Sequence, residues 1–453
     1  MNYLLPIETI NREIDFKLVL AAKLASQRKK LWIGQYDFLS LITERLFGGI
    51  YIGKNIFLKR SDLENGEHYK SLKARGFEVV YLHEEGAVFS GIESDWKNTL
   101  KSQYDLRFFN EKDKVCVWGE FQNEFDKNRS ENVKIITTGH PRFDLYTKQY
   151  SWIYNPISLK LQEKYGDFIL INGNYGVANH GIGLSHIFSK IGNYLVDDIQ
   201  SRLKRIDFFS NSTNQMVAMI QLTHHLAVKF PEVNFVFRPH PSENHETYKI
   251  IFKGVNNIIV NHEGAVGPWI LGAKAVIHDG CTTAIEAALS GVPVINYKPH
   301  YDPNLDIWLP NQMGVQLKNH TEVFDYLRDV LSGKEAGCKI NNIEKVSSLF
   351  ENFKSNAFEN LIQVIKEVEK EKGQCKVKEM SNAQIKALYL KFELKRKLYA
   401  LKNASSRNKL SYHNRKFYGF SKVDLEPKFK LIQEHINPEV RFKIHNPFLI
   451  EVQ

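Results

Sequence analysis

Three stretches of the sequence combine side chains that could bind phosphate or move protons. Arg238-Pro239-His240-Pro241 closes the apolar run NFVF. Arg238 brings a planar fork matched to phosphate oxygens, His240 brings a donor that can also release a proton, and the prolines restrict the loop so that little freedom is lost on binding. Cys281-Thr282-Thr283-Ala284 follows KAVIHDG, a pattern that reads as a strand, a tight turn at Gly280 and a helix start. Free amides and the helix dipole favour an anion there, and Thr282 and Thr283 add hydroxyls. His278 and Asp279 precede the turn, and Glu286 lies one helical turn on, where a carboxylate could accept ribose hydroxyls. His83-Glu84-Glu85-Gly86 follows FEVVYL. Of two adjacent carboxylates before a glycine, one can face outward while neighbours hold the other, and their like charge is expected to raise at least one pKa.

Each stretch also has a purely structural reading. Arg238 could cap a strand with His240 satisfied by backbone groups. Thr282 and Thr283 could cap a helix, with Glu286 completing a capping box. The Glu84-Glu85 pair could sit in a solvated loop. Asn172-Gly173-Asn174, at the end of DFILIN, and His180 beyond it offer either short polar ligand groups or ordinary turn chemistry. Arg12, at the start of the first helix, could serve a site or make a surface ion pair. Arg142 and Asp144, in GHPRFD, could line a cleft or mark a hinge. His224-His225 falls within a helix and is expected to be structural, because sequence neighbours do not share a helical face.

Rigid elements must hold these groups in place. The apolar runs YLLPIE, LWIG, GIYIG, FEVVYL, KVCVWG and VKIITTG alternate with amphipathic stretches, including helices expected over 12–27 and 37–47. Such alternation, with strands apolar on both faces, predicts a parallel sheet covered by helices. The rhythm restarts with DFILINGN, NFVFRPHP, NNIIVN, KAVIHDG and VPVINYKP. The three leading stretches thus fall at the carboxyl ends of expected strands, where open α/β sheets bind ligands. A connection over 141–166, with two prolines and no strong strand, separates a first domain at 1–150 from a second at 166–340. Residues 341–453 are expected to form C-terminal helices and a basic extension, with a last strand in PFLIEV.

With 453 residues, 43% of them hydrophobic, the chain can build more than one core. It contains no run of about 18 uncharged apolar residues, and its start reads as a strand rather than a leader, so a cytoplasmic protein is expected. Cys116, Cys281, Cys338 and Cys375 lack CxxC spacing, which points to reduced thiols without structural zinc. The net charge of +10 is regional: residues 373–422 hold thirteen Lys and Arg against two acids. This basic segment, interleaved with Tyr and Phe, would suit anionic lipid headgroups, a phosphorylated acceptor or nucleic acid, or simply be a Lys-rich solvated helix face.

The RPHP strand end followed by HDGCTTAIEAALSGVPVI resembles the nucleotide half of GT-B glycosyltransferases. It is also similar to CDP-glycerol phosphotransferases and bacterial sialyltransferases, which share a His-Pro element. More narrowly, LLPIETINREIDFKL, TGHPRFDL and INGNYGVANH resemble the surface carbohydrate biosynthesis protein family, related to bacterial Kdo transferases, over roughly the first 300 residues. The resemblance implies an α/β GT-B fold, with two Rossmann-like parallel-sheet domains facing a cleft and here a basic C-terminal helical extension. It implies that Glu85, second acid of an acidic-acidic-Gly element with Glu84, is the catalytic carboxylate, either general base or nucleophile according to the stereochemical course. His240 would share in catalysis and, with Asn172, Gly173, Asn174, Arg238, Pro241, His278, Asp279, Thr282, Thr283 and Glu286, would bind the donor. Arg12, His83, Arg142 and His180 would line the cleft.

The implied donor is a CMP-activated 2-keto sugar acid, Kdo or a nonulosonic acid such as pseudaminic or sialic acid. The implied acceptor is a surface polysaccharide or lipid-linked glycan at the inner face of the bacterial cytoplasmic membrane, which the segment 373–422 would contact. A single leaving phosphate can be stabilised by protein groups, so neither metal nor cofactor is expected, and no nucleic acid is expected as a partner. The alternative enzyme is a CDP-glycerol or CDP-ribitol phosphotransferase. The alternative of another class is a non-catalytic protein that binds membranes or nucleic acid.

Overall fold

The computed structural model describes residues 1–25, 29–54, 56, 66–192, 194–334, 337–373, 376–402 and 404–453. Cys375, the end of the helix expected over 12–27, and two positions of the basic segment, 374 and 403, lie outside the described residues. The chain forms two compact units. Met1–Ala87, Asn98–Leu145 and Ser347–Gln453 make the first, and Val88–Lys97 with Tyr146–Val346 the second.

In the first unit, β1 (Asn2–Ile7), β2 (Lys30–Gln35), β3 (Gly49–Ile52), β4 (Phe77–Leu82), β5 (Lys114–Val117) and β6 (Lys134–Thr137) run parallel in the order β2-β1-β3-β4-β5-β6. β1, β3 and β5 are buried along their whole length, as strands covered on both faces must be. The helix after β1, α1 (Ile10–Leu24), is buried nearly all round, so Glu13, Asp15 and Lys17 are carried inside with its apolar residues. A helix in that position needs internal partners for its charges.

The second unit holds β7 (Phe168–Asn172), β8 (Asn234–Arg238), β9 (Ile258–Val260), β10 (Ala275–His278), β11 (Val294–Tyr297) and β12 (Val315–Leu317), all parallel, in the order β12-β11-β10-β7-β8-β9. The long helix α2 (Ile199–Lys229) is capped by the Asp198 side chain, which accepts from Gln200 N at 3.0 Å. Its C-terminal half packs Leu222 and Leu226 on the sheet beside Val323 and Leu327 of a later helix. His224 and His225 lie on α2 against Phe252 and His320. The short helix α3 (Thr283–Leu289) follows β10, and α4 (His320–Leu331) carries Val323 and Leu327 and begins with a complete capping box from Asn319 and Glu322. The stretch 141–166, read from sequence as a connection, contains a helix, Asn155–Tyr165, that belongs to this unit.

The chain then returns to the first unit. The sequence sets 341–453 apart, but residues 347–453 are part of the first unit. Helix α5 (Ala357–Lys372) is tied there through Asp144, which accepts from Phe358 N at 2.8 Å and Asn352 Nδ2 at 2.7 Å. Helices α6 (Asn382–Lys402) and α7 (Ala404–Lys416) follow. A hairpin of β13 (Phe442–Asn446) and β14 (Leu449–Val452) then pairs antiparallel with β2 and extends the sheet to eight strands. The apolar tail PFLIEV thus covers an edge that would otherwise stay open.

Candidate functional site

In the second unit, strand alternation places Ile171, Phe237, Ile277 and Ile295 in the apolar core under α2 and α4. The next residue of each strand therefore points to the opposite face. Those residues are Arg238, Asn172, His278 and Asn296, paired in register across β8, β7, β10 and β11. They form a polar row at the carboxyl edge of the sheet, and every member is buried.

Arg238 stands apart from the rest of the row. Its guanidinium donates to the carbonyls of Glu263 at 3.0 Å and Gly264 at 2.5 Å and lies over Trp269, and burial lowers its pKa to about 10. Both terminal nitrogens already serve main-chain carbonyls, so the expectation of a phosphate fork gives way to a residue that ties the loop after β9. The other three hold atoms with no hydrogen-bond partner among the described residues: Asn172 Nδ2, both ring nitrogens of His278 and Asn296 Oδ1. Both side-chain amide atoms of Asn311 join them. Asn311 reaches toward the turn at Gly280, whose φ of 62° favours glycine. Burial, reinforced by the charge of Lys298, lowers the His278 pKa to about 3. The ring is therefore neutral at physiological pH and offers one donor and one acceptor. A buried, neutral, polar surface suits the uncharged part of a ligand.

Glu243 organises the loops above this row. Its Oε1 accepts from the backbone N of Tyr175 at 3.1 Å and of His240 at 2.9 Å, and its Oε2 accepts from the Tyr248 hydroxyl. His240 is thereby held, with Nδ1 2.8 Å from Ser242 Oγ. Asp279 is paired with Lys298, which also binds Asp306, so this acid is committed to an ion cluster. Gly173 packs against the ring of Tyr175, whereas Asn174 and Pro241 are exposed. Thr282 takes the cap position of α3 without a side-chain cap, so no capping box forms there, and Thr283 and Glu286 are buried in the first turns of α3. His180 is folded into its own loop: its Nδ1 accepts from Ile182 N at 3.1 Å and its ring stacks on His186.

At the carboxyl edge of the first sheet the groups are charged. Glu84 is buried, 3.9 Å from Lys17 Nζ and 3.4 Å from His140 Nε2. Lys17 is equally buried, 2.8 Å from Glu13, and donates to the carbonyl of Pro6. His140 Nδ1 accepts from Arg142 N at 3.1 Å, which leaves Nε2 to carry the proton toward Glu84. Glu85 is 54% exposed and makes a 3.0 Å ion pair with Arg12. Glu8 lies 3.3 Å from Lys54 and 3.0 Å from Lys416. A Cβ at Gly86 would stand 2.6 Å from Trp118, so the glycine lets that ring close under the acidic turn.

These cations reverse one expectation: neither carboxylate of the pair is raised. Burial pushes Glu84 up, but His140 and Lys17 outweigh it and hold it well below its ordinary value. Burial likewise opposes Arg12 and Lys54 at Glu85, whose pKa is lowered on balance. Glu85 is therefore ionised and reachable at neutral pH, the state a base or nucleophile requires. His83 is a second correction. It is buried, with Nδ1 2.7 Å from Gln122 Nε2, and burial lowers its pKa to about 4, which makes it a core residue rather than a cleft one. Arg142 is buried over the ring of Phe143 at 4.4 Å and helps lower Glu85 from there. Of the groups that shape the two edges, Lys17, Lys54, Asn296, Lys298, Asn311 and Glu243 are not among the sequence candidates.

The architecture defines a class: two Rossmann-like parallel-sheet units, each presenting polar groups at the carboxyl ends of its strands. No family model matches the chain, and no curated protein matches it. Among solved structures it is similar to the wall teichoic acid polymerase TagF, with 9% identity over 82% of this chain and 90% of that one and a TM-score of 0.44. It is similar to the UDP-GlcNAc 2-epimerase of Methanocaldococcus jannaschii in complex with UDP-GlcNAc and UDP, with 10% identity over 81% and 100% and a TM-score of 0.46. The UDP-GlcNAc 2-epimerase of Neisseria meningitidis bound to UDP-GlcNAc gives 11% identity over 81% and 100% and a TM-score of 0.45. Likeness at this level bears on neither substrate nor reaction.

Proposed function

We propose that the protein is a GT-B glycosyltransferase that moves a 2-keto sugar acid, Kdo or a nonulosonic acid, from its CMP-activated form to a surface polysaccharide or lipid-linked glycan. The observation that carries this reading is the division within the acidic pair. Glu84 is locked inside by Lys17 and His140, and Glu85 beside it is ionised and open to solvent. A carboxylate directed at an acceptor hydroxyl or an anomeric carbon needs those properties together.

As general base, Glu85 takes the proton of the acceptor hydroxyl while the acceptor oxygen bonds to the anomeric carbon and the bond from that carbon to the phosphate oxygen breaks, releasing CMP. As nucleophile, Glu85 bonds to the anomeric carbon as the bond from that carbon to the phosphate oxygen breaks and CMP leaves; the acceptor oxygen then bonds to that carbon as the bond to Glu85 breaks, and the acceptor proton passes to the released carboxylate. The nucleoside is assigned to Asn172, His278, Asn296 and Asn311, whose unpaired polar atoms supply donors and acceptors. The phosphate is assigned to His240 with Thr282 and Thr283. Arg238 has no part in this assignment. No metal or cofactor enters the reaction, the basic helices would rest on an anionic membrane at its cytoplasmic face, and nucleic acid is not a partner.

Thermal-shift titration with CMP, CDP, UDP and GDP tests the donor. CMP is expected to stabilise most, by about 2.7 kcal/mol at a hundredfold excess over Kd. Glu85→Gln should keep that shift and lose transfer. Full transfer by Glu85→Gln, together with preference for CDP and loss of transfer in His240→Ala, would replace this reading with a CDP-alditol phosphotransferase.

A further inference from the structure

Helix α6 has two apolar faces, and only one is covered. On the inner face Phe392 packs 5.2 Å from Phe38 and 5.3 Å from Phe448, and Arg396 lies over the Phe448 ring at 4.7 Å. At about 100° per residue, Leu390, Leu394, Leu398 and Leu401 fall within an arc of about 80° on the opposite side, along about 17 Å of helix. They are 58%, 59%, 55% and 81% exposed. Lys391, Lys395 and Lys402 border this stripe on one side, and Lys386 and Lys397 on the other. A groove of about 460 Å³, lined from α6 by Ala400 alone among the described residues, presents Arg407 and Arg415 of α7. Four leucines in line on a solvent face are not ordinary surface scatter, and lysines along both borders select the partner by charge.

We propose that this face of α6 docks on an anionic phospholipid bilayer, with the leucines entering the acyl boundary and the lysines meeting headgroup phosphates. This deepens the membrane contact of the proposed function by naming its surface, and it rests on that reading only for its role at a membrane-linked acceptor. Among the described residues no helix is long and apolar enough to cross a membrane, so the contact is one of a helix lying in the interface. A second copy of the chain on the same face would bring lysines against lysines. A nucleic acid would engage the lysines but leave the leucines in water, and the stripe offers no stacking ring.

Co-sedimentation of the full chain with vesicles tests this directly. Binding is expected to vesicles containing about one-third phosphatidylglycerol, with little to pure phosphatidylcholine, and to weaken with salt. Leu394→Glu/Leu398→Glu should lower it at least about tenfold, and Lys391→Gln/Lys395→Gln several-fold, with the circular dichroism spectrum and CMP thermal shift unchanged because these side chains are exposed. The proposal is overturned by absence of binding to anionic vesicles, by equal binding of the double-glutamate variant, by self-association that the same variant abolishes, or by binding of a homopolymer RNA without binding of vesicles. Lost vesicle binding with Glu85-dependent transfer intact removes only this surface. Intact vesicle binding without a CMP shift counts only against the donor reading.

Discussion

The carboxyl edges of the two sheets solve opposite problems. In the first unit the edge is dense with charge, and opposite charges stand together, Lys17 with Glu13 and Glu84, Glu8 with Lys54 and Lys416, Arg12 with Glu85, although the buried oxygens of Glu84 and Nε2 of His140 make no hydrogen bond among the described residues. In the second unit the row Asn172, His278 and Asn296 is neutral and buried, and Asn172 Nδ2, both His278 ring nitrogens and Asn296 Oδ1 have no hydrogen-bond partner among the described residues. Buried polar groups are ordinarily hydrogen-bonded, and on the proposed reading the neutral exceptions of the second edge are the groups a nucleoside would satisfy. On the proposed reading the first edge holds one carboxylate in a defined state, and the second binds the nucleoside.

The largest expected effects separate these roles. Glu85→Gln should lower transfer by about 10²–10⁴-fold, the usual contribution of a positioned base, while leaving nucleotide binding intact. Asn172→Ala should do the reverse, weakening CMP binding in a thermal-shift titration. If both variants moved the same quantity, the two edges would not have separate tasks. Lys17→Met probes the internal wiring of the first edge. It strands Glu13 and Glu84 inside without their cation, and urea denaturation should register a loss of about 3–5 kcal/mol. A loss under about 1 kcal/mol would mean that the buried charges are not paired as described.

The parallel sheets and their strand ends are legible in the sequence because each strand is a short apolar run with a polar stop. The endings ILIN172, FVFR238, AVIH278 and PVIN296 even repeat one pattern of apolar residues followed by a polar one. Their register is not legible, since it depends on pairing between segments up to about a hundred residues apart, and Asn296 is overlooked because its strand runs on past it to Tyr297. The use of Arg238 is also hidden: a guanidinium at a strand end is equally suited to a phosphate and to the carbonyls of Glu263 and Gly264. A charge inside the apolar run of α1, with Glu13 and Lys17 four apart, is the visible sign of a buried pair. The return of 347–453 to the first sheet leaves no local trace, because a pattern such as PFLIEV encodes a strand but not its neighbour.

His278 offers a sharper, smaller contrast between the edges. Its pKa is lowered to about 3, chiefly by burial and then by Lys298, so protonation plays no part near neutrality. The ring is a buried polar group whose two nitrogens have no hydrogen-bond partner among the described residues, which carries a desolvation penalty. His278→Leu should therefore raise the melting temperature without nucleotide, by the equivalent of about 1 kcal/mol, while removing the nucleotide-induced shift. At the first edge no removal of a buried charged partner should stabilise anything. Destabilisation by His278→Leu with a retained CMP shift would show that the second edge is ordinary core.

Arg12→Ala is the finest test, because it alters the state of Glu85 without touching its atoms. Burial raises the Glu85 carboxyl, and Arg12 and Lys54 bring it below the ordinary value. Without Arg12, Lys54 and Arg142 still oppose burial but more weakly in sum, so the pKa rises. The acid limb of kcat/KM should move to higher pH, by less than about one unit because a half-exposed pair is screened by water and salt. Stability follows the same linkage. A lowered folded pKa contributes stability above the unfolded carboxylate value, and that contribution is lost as pH falls through the folded value. The variant should thus be less stable than the parent by up to about 1 kcal/mol at neutral pH, and equal to it once the carboxylate is protonated in both states. A small fall in stability with an unmoved acid limb would make Arg12–Glu85 a surface ion pair and nothing more. It would also detach the protonation of Glu85 from the chemistry, and the first edge would then lose its one functional member.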